Sequence, residues 1–156
     1  MISYCWSQQE EVKKIHGGLK RHGYEIWLDI NHMAVSGAGD GILEAMAAGV
    51  DSADVLVVCV SRQYSQSANC RLEAEYAHKR GKKLIFVMLQ KDFTNPSGWL
   101  GLLLGTKLWY NGFEGTEEQR LKTLVDAIQS RSSTHTAGGG RQKPAPLQRA
   151  KSVGSI

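Results

Sequence analysis

The side chain that most needs a chemical explanation is Glu73, which lies in the stretch SQSANCRLEAEYAHKRG, residues 65–81. Projected as one helix at about 100° per residue, Cys70, Leu72, Ala74, Tyr76 and Ala77 form a broad apolar side, with Arg71, Glu75, His78 and Lys79 opposite. Glu73 falls near the middle of the apolar side. A carboxylate turned into a packed interior either finds a partner or rises in pKa, because desolvation disfavours its charged form. Three explanations stand together: pairing with Arg80, capture by backbone amides near the helix start, or service in a site. Glu75 has a simpler reading, an i,i+4 pair with Lys79 on the solvated face.

Other residues with chemical potential form weaker constellations. Ser61, Ser65 and Ser67 lack a His and acid framework for nucleophilic catalysis, and helix capping accounts for Ser67. His16, His22, His32, His78 and His135 have no metal-ligand spacing to one another or to Cys, so no metal is expected. The loop SGAGDG, residues 36–41, reads first as mobile-loop chemistry, with phosphate contact as the lesser alternative because it precedes a helix start where free amides attract phosphate. It lacks the GK[ST] of a P-loop, and Ile42 occupies the third glycine position of a dinucleotide fingerprint.

The elements that must position Glu73 follow from hydrophobic period. Residues 1–5 and 24–28 are β-prone, and residues 55–60 and 84–89 are unbroken apolar runs of the kind found in strands buried on both faces. Residues 107–110 can form a fifth strand. Between them run helical patterns: residues 8–22 on Val12, Ile15 and Leu19; a helix opening near Asp40 on Ile42, Leu43, Met46, Ala47 and Val50; the Glu73 helix; and a last one on Leu121, Leu124, Val125 and Ile128. Gly23 suits a left-handed cap and Thr116 with Gln119 a capping box; Gly17 and Gly18 inside the first helix are more commonly tolerated weak points than marks of a close packing contact. Residues 92–105 read as loop.

Alternation of strand and helix predicts an α/β fold, a flavodoxin-like five-stranded parallel sheet in the order 2-1-3-4-5 with helices on both faces. Ligands of such sheets gather at the carboxyl ends of the strands beside the switch in strand order. Tyr4, Cys5 and Trp6, the loop from Ile30, and residues 61–69 form that edge. The position of Glu73 on the following helix favours a site. A phosphorylated receiver domain would need an acidic pair after the first strand and Asp at the end of the third, where this chain has Tyr4-Cys5 and Val60-Ser61.

Composition sets the outer bounds. A 156-residue chain that is 42% hydrophobic fits one soluble domain. The net charge of +4 belongs to the end of the chain: residues 1–130 carry 14 basic and 15 acidic side chains, and no acid follows Arg131. Nucleic acid is therefore not an expected partner of the folded part. Cys5, Cys59 and Cys70, odd in number and without CxxC spacing, suit a reducing, cytoplasmic compartment. No run is apolar enough for a membrane span, and no signal peptide is read. Residues 131–156, rich in Ser, Gly and Pro, read as a disordered basic tail.

Four segments, in order on the expected elements, resemble the TIR (Toll/interleukin-1 receptor) domain over residues 1–130. They are Met1-Ile2-Ser3-Tyr4; residues 24–29 leading to Ser36-Gly37; Ser67-Ala68-Asn69-Cys70-Arg71-Leu72-Glu73; and Leu108-Trp109-Tyr110. The resemblance implies one of two functions in immune or cell-death signalling. Some TIR domains cleave NAD+ between nicotinamide and ribose, giving ADP-ribose or a cyclic product, with a glutamate on the helix after the third strand. Cys70-x-x-Glu73 is similar to that motif, which implies Glu73 as the catalytic residue. It also implies Tyr4, Trp6, Met33, Ser36, Gly37, Asn69 and Cys70 around the substrate, NAD+ as substrate rather than cofactor, and activity on self-assembly. Other TIR domains are adaptors that act through TIR–TIR contacts without chemistry. The chain departs from the enzymatic pattern in two respects: Asn69 stands where such relatives often carry Trp, and Cys5 and Trp6 where some have basic residues.

Overall fold

Two runs of hydrophobic residues, VLVVCV and KLIFVM, form the centre of the fold as strands Val55–Val60 and Lys83–Met88, paired in parallel from Val55↔Lys83 to Val60↔Met88. The computed structural model describes residues 1–28 and 41–132. In chain order its elements are β1 (Ile2–Ser3), a 3-10 helix (Trp6–Gln8), α1 (Gln9–Arg21), α2 (Gly41–Ser52), β2 (Val55–Val60), α3 (Arg62–Gln66), α4 (Ala68–Lys79), β3 (Lys83–Met88), α5 (Gly98–Leu104), β4 (Trp109–Asn111) and α6 (Glu117–Ser132). The four strands are parallel in the order β1-β2-β3-β4.

Each central strand sends alternate side chains to opposite faces, and this divides the core in two. Leu56, Val58 and Val60 with Leu84, Phe86 and Met88 pack against Val50 of α2, Tyr64 of α3, Cys70, Ala74 and Ala77 of α4, and Leu100, Leu103 and Leu104 of α5. Val57, Cys59, Ile85 and Val87 meet Val12 and Leu19 of α1 and Leu124, Val125 and Ile128 of α6. Strands covered on both sides have no room for polar alternation, which is why their sequences are continuously apolar.

The second strand in chain order, expected at residues 24–28, is reduced to a single parallel bridge, Ile2↔Leu28, with a hydrogen bond from the Ile2 amide to the Trp27 carbonyl at 3.2 Å, so the sheet among the described residues has four strands rather than the expected five. Its neighbour β1 is two residues long, which leaves little ladder to share. The side chains still alternate as in a strand: Tyr24, Ile26 and Leu28 join the α1/α6 core, and Trp27 the opposite one. Helix α2 reaches Trp27 at Gly49, where a Cβ would stand 2.9 Å from the indole ring.

The helix ends follow local chemistry. Gly23 takes φ +82° after α1, and Thr116 and Gln119 exchange side-chain-to-backbone hydrogen bonds of 3.0 and 3.2 Å at the start of α6. Of the Gly17-Gly18 pair, Gly18 marks a close packing contact rather than the commoner tolerated weakness, since a Cβ there would lie 2.6 Å from a Leu121 methyl. The stretch 92–105 is not all loop, because α5 lies inside it. Gly98 and Gly101 lower its helix propensity, but Leu100, Leu103 and Leu104 are buried, and a Cβ on Gly101 would collide with the Pro96 carbonyl. Of the tail read over residues 131–156, Arg131 and Ser132 belong to α6 and residues 133–156 lie outside the described residues, as does Asp40, where a helix was expected to open.

Candidate functional site around Glu73

Two serine caps in succession aim the Glu73 helix. Ser61 Oγ accepts from the Tyr64 amide at 3.0 Å and starts α3; Ser67 Oγ accepts from the Cys70 amide at 3.3 Å and starts α4. The expected single helix over residues 65–81 is therefore broken at Ser67, whose extended backbone turns the chain between two helices. In α4 the buried positions are Cys70, Glu73, Ala74 and Ala77. This stripe is narrower than the sequence projection, and Leu72, 100° from Glu73, is 52% exposed.

Glu73 is 8% exposed and is the only buried charged residue among the described ones. Arg80 is not its partner: the guanidinium donates from Nε to Asp51 at 2.7 Å, and Tyr76 Oη donates to the same carboxylate at 3.0 Å. With Lys82 Nζ on the Asp51 carbonyl at 2.8 Å, these contacts strap the end of α2 to α4. The Arg80 hydrogen bond holds Asp51 below the usual carboxylate range. Glu75 pairs with Arg71 at 2.7 Å rather than with Lys79; the same guanidinium lies 5.8 Å over the Trp99 ring, which favours the Arg71 rotamer.

Behind Glu73 is a buried polar network. Ser3 Oγ and Tyr64 Oη are 2.7 Å apart, Tyr64 Oη lies 3.4 Å from the Cys70 carbonyl, and Cys70 Sγ is 3.5 Å from the Tyr4 carbonyl. Burial pushes the Tyr64 phenol well above its usual pKa, and the charge of Glu73 pushes it further, so the phenol stays neutral. Burial lowers the pKa of the Met1 amino group, against the opposing pull of Glu73 and Asp54. Cys59 is inert by comparison, its thiol pushed up to about 12 by burial alone.

The other residues expected at the site fall in different places. Tyr4 is buried, but its ring belongs to the α1/α6 core across the sheet, so its carbonyl, not its phenol, reaches α4. Trp6 is 53% exposed in the 3-10 helix. Asn69 is exposed on the first turn of α4, and Cys70 is buried beside β1. Met33, Ser36 and Gly37 lie outside the described residues. Two clefts on the described surface are not lined by Glu73: one runs between α1 and α6 past Tyr110, the other past Tyr24 and Val55 at the amino ends of the strands.

Ser3, Tyr64 and Trp99 were not legible as members of this region. Tyr64 carried a faint signal as the single large aromatic in the polar run 61–69, where a fully buried ring must have a partner for its hydroxyl. Trp99, whose Nε1 donates to the Ser65 carbonyl at 2.9 Å and whose ring lies 6.2 Å from that of Tyr64, sits in the stretch read as loop.

Among the described residues no helix is long and apolar enough to cross a membrane, and no cluster of three His, Cys, Asp or Glu could hold a metal ion. Compared with curated proteins, the chain finds no match. A family model described as the TIR domain matches residues 1–125. That match spans β1 through most of α6 and agrees with the helix-covered parallel sheet: the chain belongs to the TIR domain family, a family of signalling domains.

Proposed function

We propose that this TIR domain is an NAD+ glycohydrolase in which the Glu73 carboxylate stabilises the ribose as nicotinamide departs. The observation that carries the reading is the burial of Glu73, an acid placed in the core-facing stripe of α4 where a purely structural helix would carry an apolar side chain. Cleavage breaks the C1′–N bond. The electron pair goes to the ring nitrogen, so a cationic pyridinium leaves as neutral nicotinamide and needs no proton. Positive charge develops on C1′ and the ring oxygen, and a desolvated carboxylate stabilises it more strongly than one in water. Water then adds at C1′ and loses a proton to give ADP-ribose; attack by a ring nitrogen of adenine gives a cyclic product instead.

In this reading Trp6, Asn69, Cys70, Met33, Ser36 and Gly37 surround the nucleotide, Tyr4 contributes through its backbone alone, no separate cofactor takes part, and the domain acts in the cytoplasm in immune or cell-death signalling. The test is nicotinamide release from NAD+ by the full chain at high protein concentration. Activity that disappears in a folded Glu73→Ala variant is expected, and retained cleavage in that variant refutes the assignment.

A second reading, an adaptor that works by TIR–TIR association without chemistry, draws support from the apolar side chains left on the surface. Leu102 is 86% exposed and Leu108 70%. Concentration-dependent self-association together with no nicotinamide release, in wild type and Glu73→Ala alike, would select it.

A further inference from the structure

We infer that Tyr64 is a positioning residue for Glu73, a buried peg that fixes the first turn of α4 against β1 through Ser3 and the Cys70 carbonyl. The inference rests on the glycohydrolase reading for its catalytic consequence and on geometry for the rest.

The hydrogen-bond direction in the network follows from donor and acceptor capacity. A backbone carbonyl only accepts, so the single phenolic proton of Tyr64 goes to the Cys70 oxygen at 3.4 Å. Ser3 must then donate its hydroxyl proton to Tyr64 Oη at 2.7 Å. The result is a directed chain from Ser3 to Tyr64 to Cys70 that joins β1, α3 and α4. Ser3 and Tyr64 are both buried, so no water competes for these bonds. Cys70 Sγ donating to the Tyr4 carbonyl at 3.5 Å adds a second tie between the same turn and the same strand.

Tyr64 itself has little freedom. Its amide is held by Ser61 Oγ at 3.0 Å, and its ring sits between the sheet and Trp99, whose indole is anchored to the Ser65 carbonyl. Glu73 begins the turn after Cys70, within electrostatic reach of the phenol. The distance from β1 to the Glu73 turn is thus set by a rigid side chain rather than by methyl packing alone. Site geometry held to within about half an ångström needs such support behind the reacting group. The titratable groups around the phenol are Glu73 and Cys70 of α4 and Cys59 of β2, with the Met1 amino group near Glu73.

The test is Tyr64→Phe in the full chain, with Ser3→Ala as a second variant that removes the same hydrogen bond from the other end. Two quantities are read. The first is native-state alkylation of Cys70 by iodoacetamide, with Cys59 as the internal reference. The second is kcat and KM for NAD+ cleavage. Each variant is expected to speed Cys70 alkylation and lower kcat about tenfold, the equivalent of ~1.4 kcal/mol. Cys59 and KM stay within about twofold, and the double variant is no worse than Tyr64→Phe alone, as expected of residues acting through one bond.

Cys70 and Cys59 accelerating together would mean general loosening and overturn the inference. So would unchanged Cys70 reactivity in both variants, or a loose Cys70 turn with kcat intact. If Tyr64→Phe does not fold, Ser3→Ala carries the test. Faster Cys70 alkylation in proteins that never cleave NAD+, wild type included, would uphold the peg and refute the glycohydrolase reading.

Discussion

Replacing Glu73 by Gln separates a carboxylate kept for function from one kept for stability, because the two readings predict opposite signs. Gln preserves shape and an acceptor oxygen while removing the charge. Glu73 is 8% exposed, so its charge has given up most of its hydration. If the carboxylate is structural, Glu73→Gln loses charge-assisted hydrogen bonding worth about 1.5–3 kcal/mol. For a chain of this length 1 kcal/mol moves Tm by roughly 2–4 °C, so Tm falls by about 3–12 °C. If it is kept for chemistry, removing a desolvated charge leaves stability unchanged or raises it by up to about 2 kcal/mol. Activity then falls at least ~100-fold, the scale for losing one preorganised electrostatic group. Thermal unfolding at neutral pH and nicotinamide release, measured on the same preparation, give both numbers. A variant several degrees less stable with cleavage intact would refute the reasoning.

Four further substitutions test the surrounding scaffold. Gly17→Ala should raise stability by about 0.5–1 kcal/mol from helix propensity, since the nearest atom to its Cβ is Arg21 Nη1 at 3.7 Å. Gly18→Ala should lose that gain and fall below wild type by up to ~2 kcal/mol, because its Cβ would sit 2.6 and 2.7 Å from the two Leu121 methyls; urea unfolding that ranks the pair the other way would contradict the α1–α6 packing. Gly49→Ala meets the flat face of Trp27 and should cost about 1–3 kcal/mol in the same assay. Asp51 has a folded-state pKa below its unfolded value through its Arg80 hydrogen bond, so its contribution is present above the usual carboxylate pKa and lost as pH falls through the depressed one. The Tm gap between wild type and Asp51→Asn should therefore be widest near neutral pH and close on acidification; a gap of constant size from neutral to acid pH would dissociate Asp51 from the α2–α4 strap.

Local interactions were the legible part of the fold. The runs at 55–60 and near 84–89 became β2 and β3 because side chains buried on both faces have no alternative composition. Gly23, Ser67 and the Thr116–Gln119 box act within a few residues of themselves and came out as read. Pairing choices were harder. Glu75 had a cation on either side, and Arg71 won because Trp99, 28 positions beyond Arg71 in the chain, holds its guanidinium. Arg80 turned to Asp51, an acid from a different helix. Helix α5 escaped notice because three leucines pack on a core that its own glycines do not announce.

The sequence by itself determined that Glu73 faces inward, since a helix projects every fourth residue to one side whatever lies beyond it. It also determined the alternation of strand and helix. Only the tertiary structure decided what stands behind that carboxylate. Ser3 and Tyr64 are 61 positions apart and meet because β1 lies parallel to β2 and α3 follows β2 directly. Tyr4, adjacent to Ser3, goes to the opposite core by the two-residue alternation of a strand. Period fixes the direction of a side chain; sheet order alone fixes which other side chain it will meet.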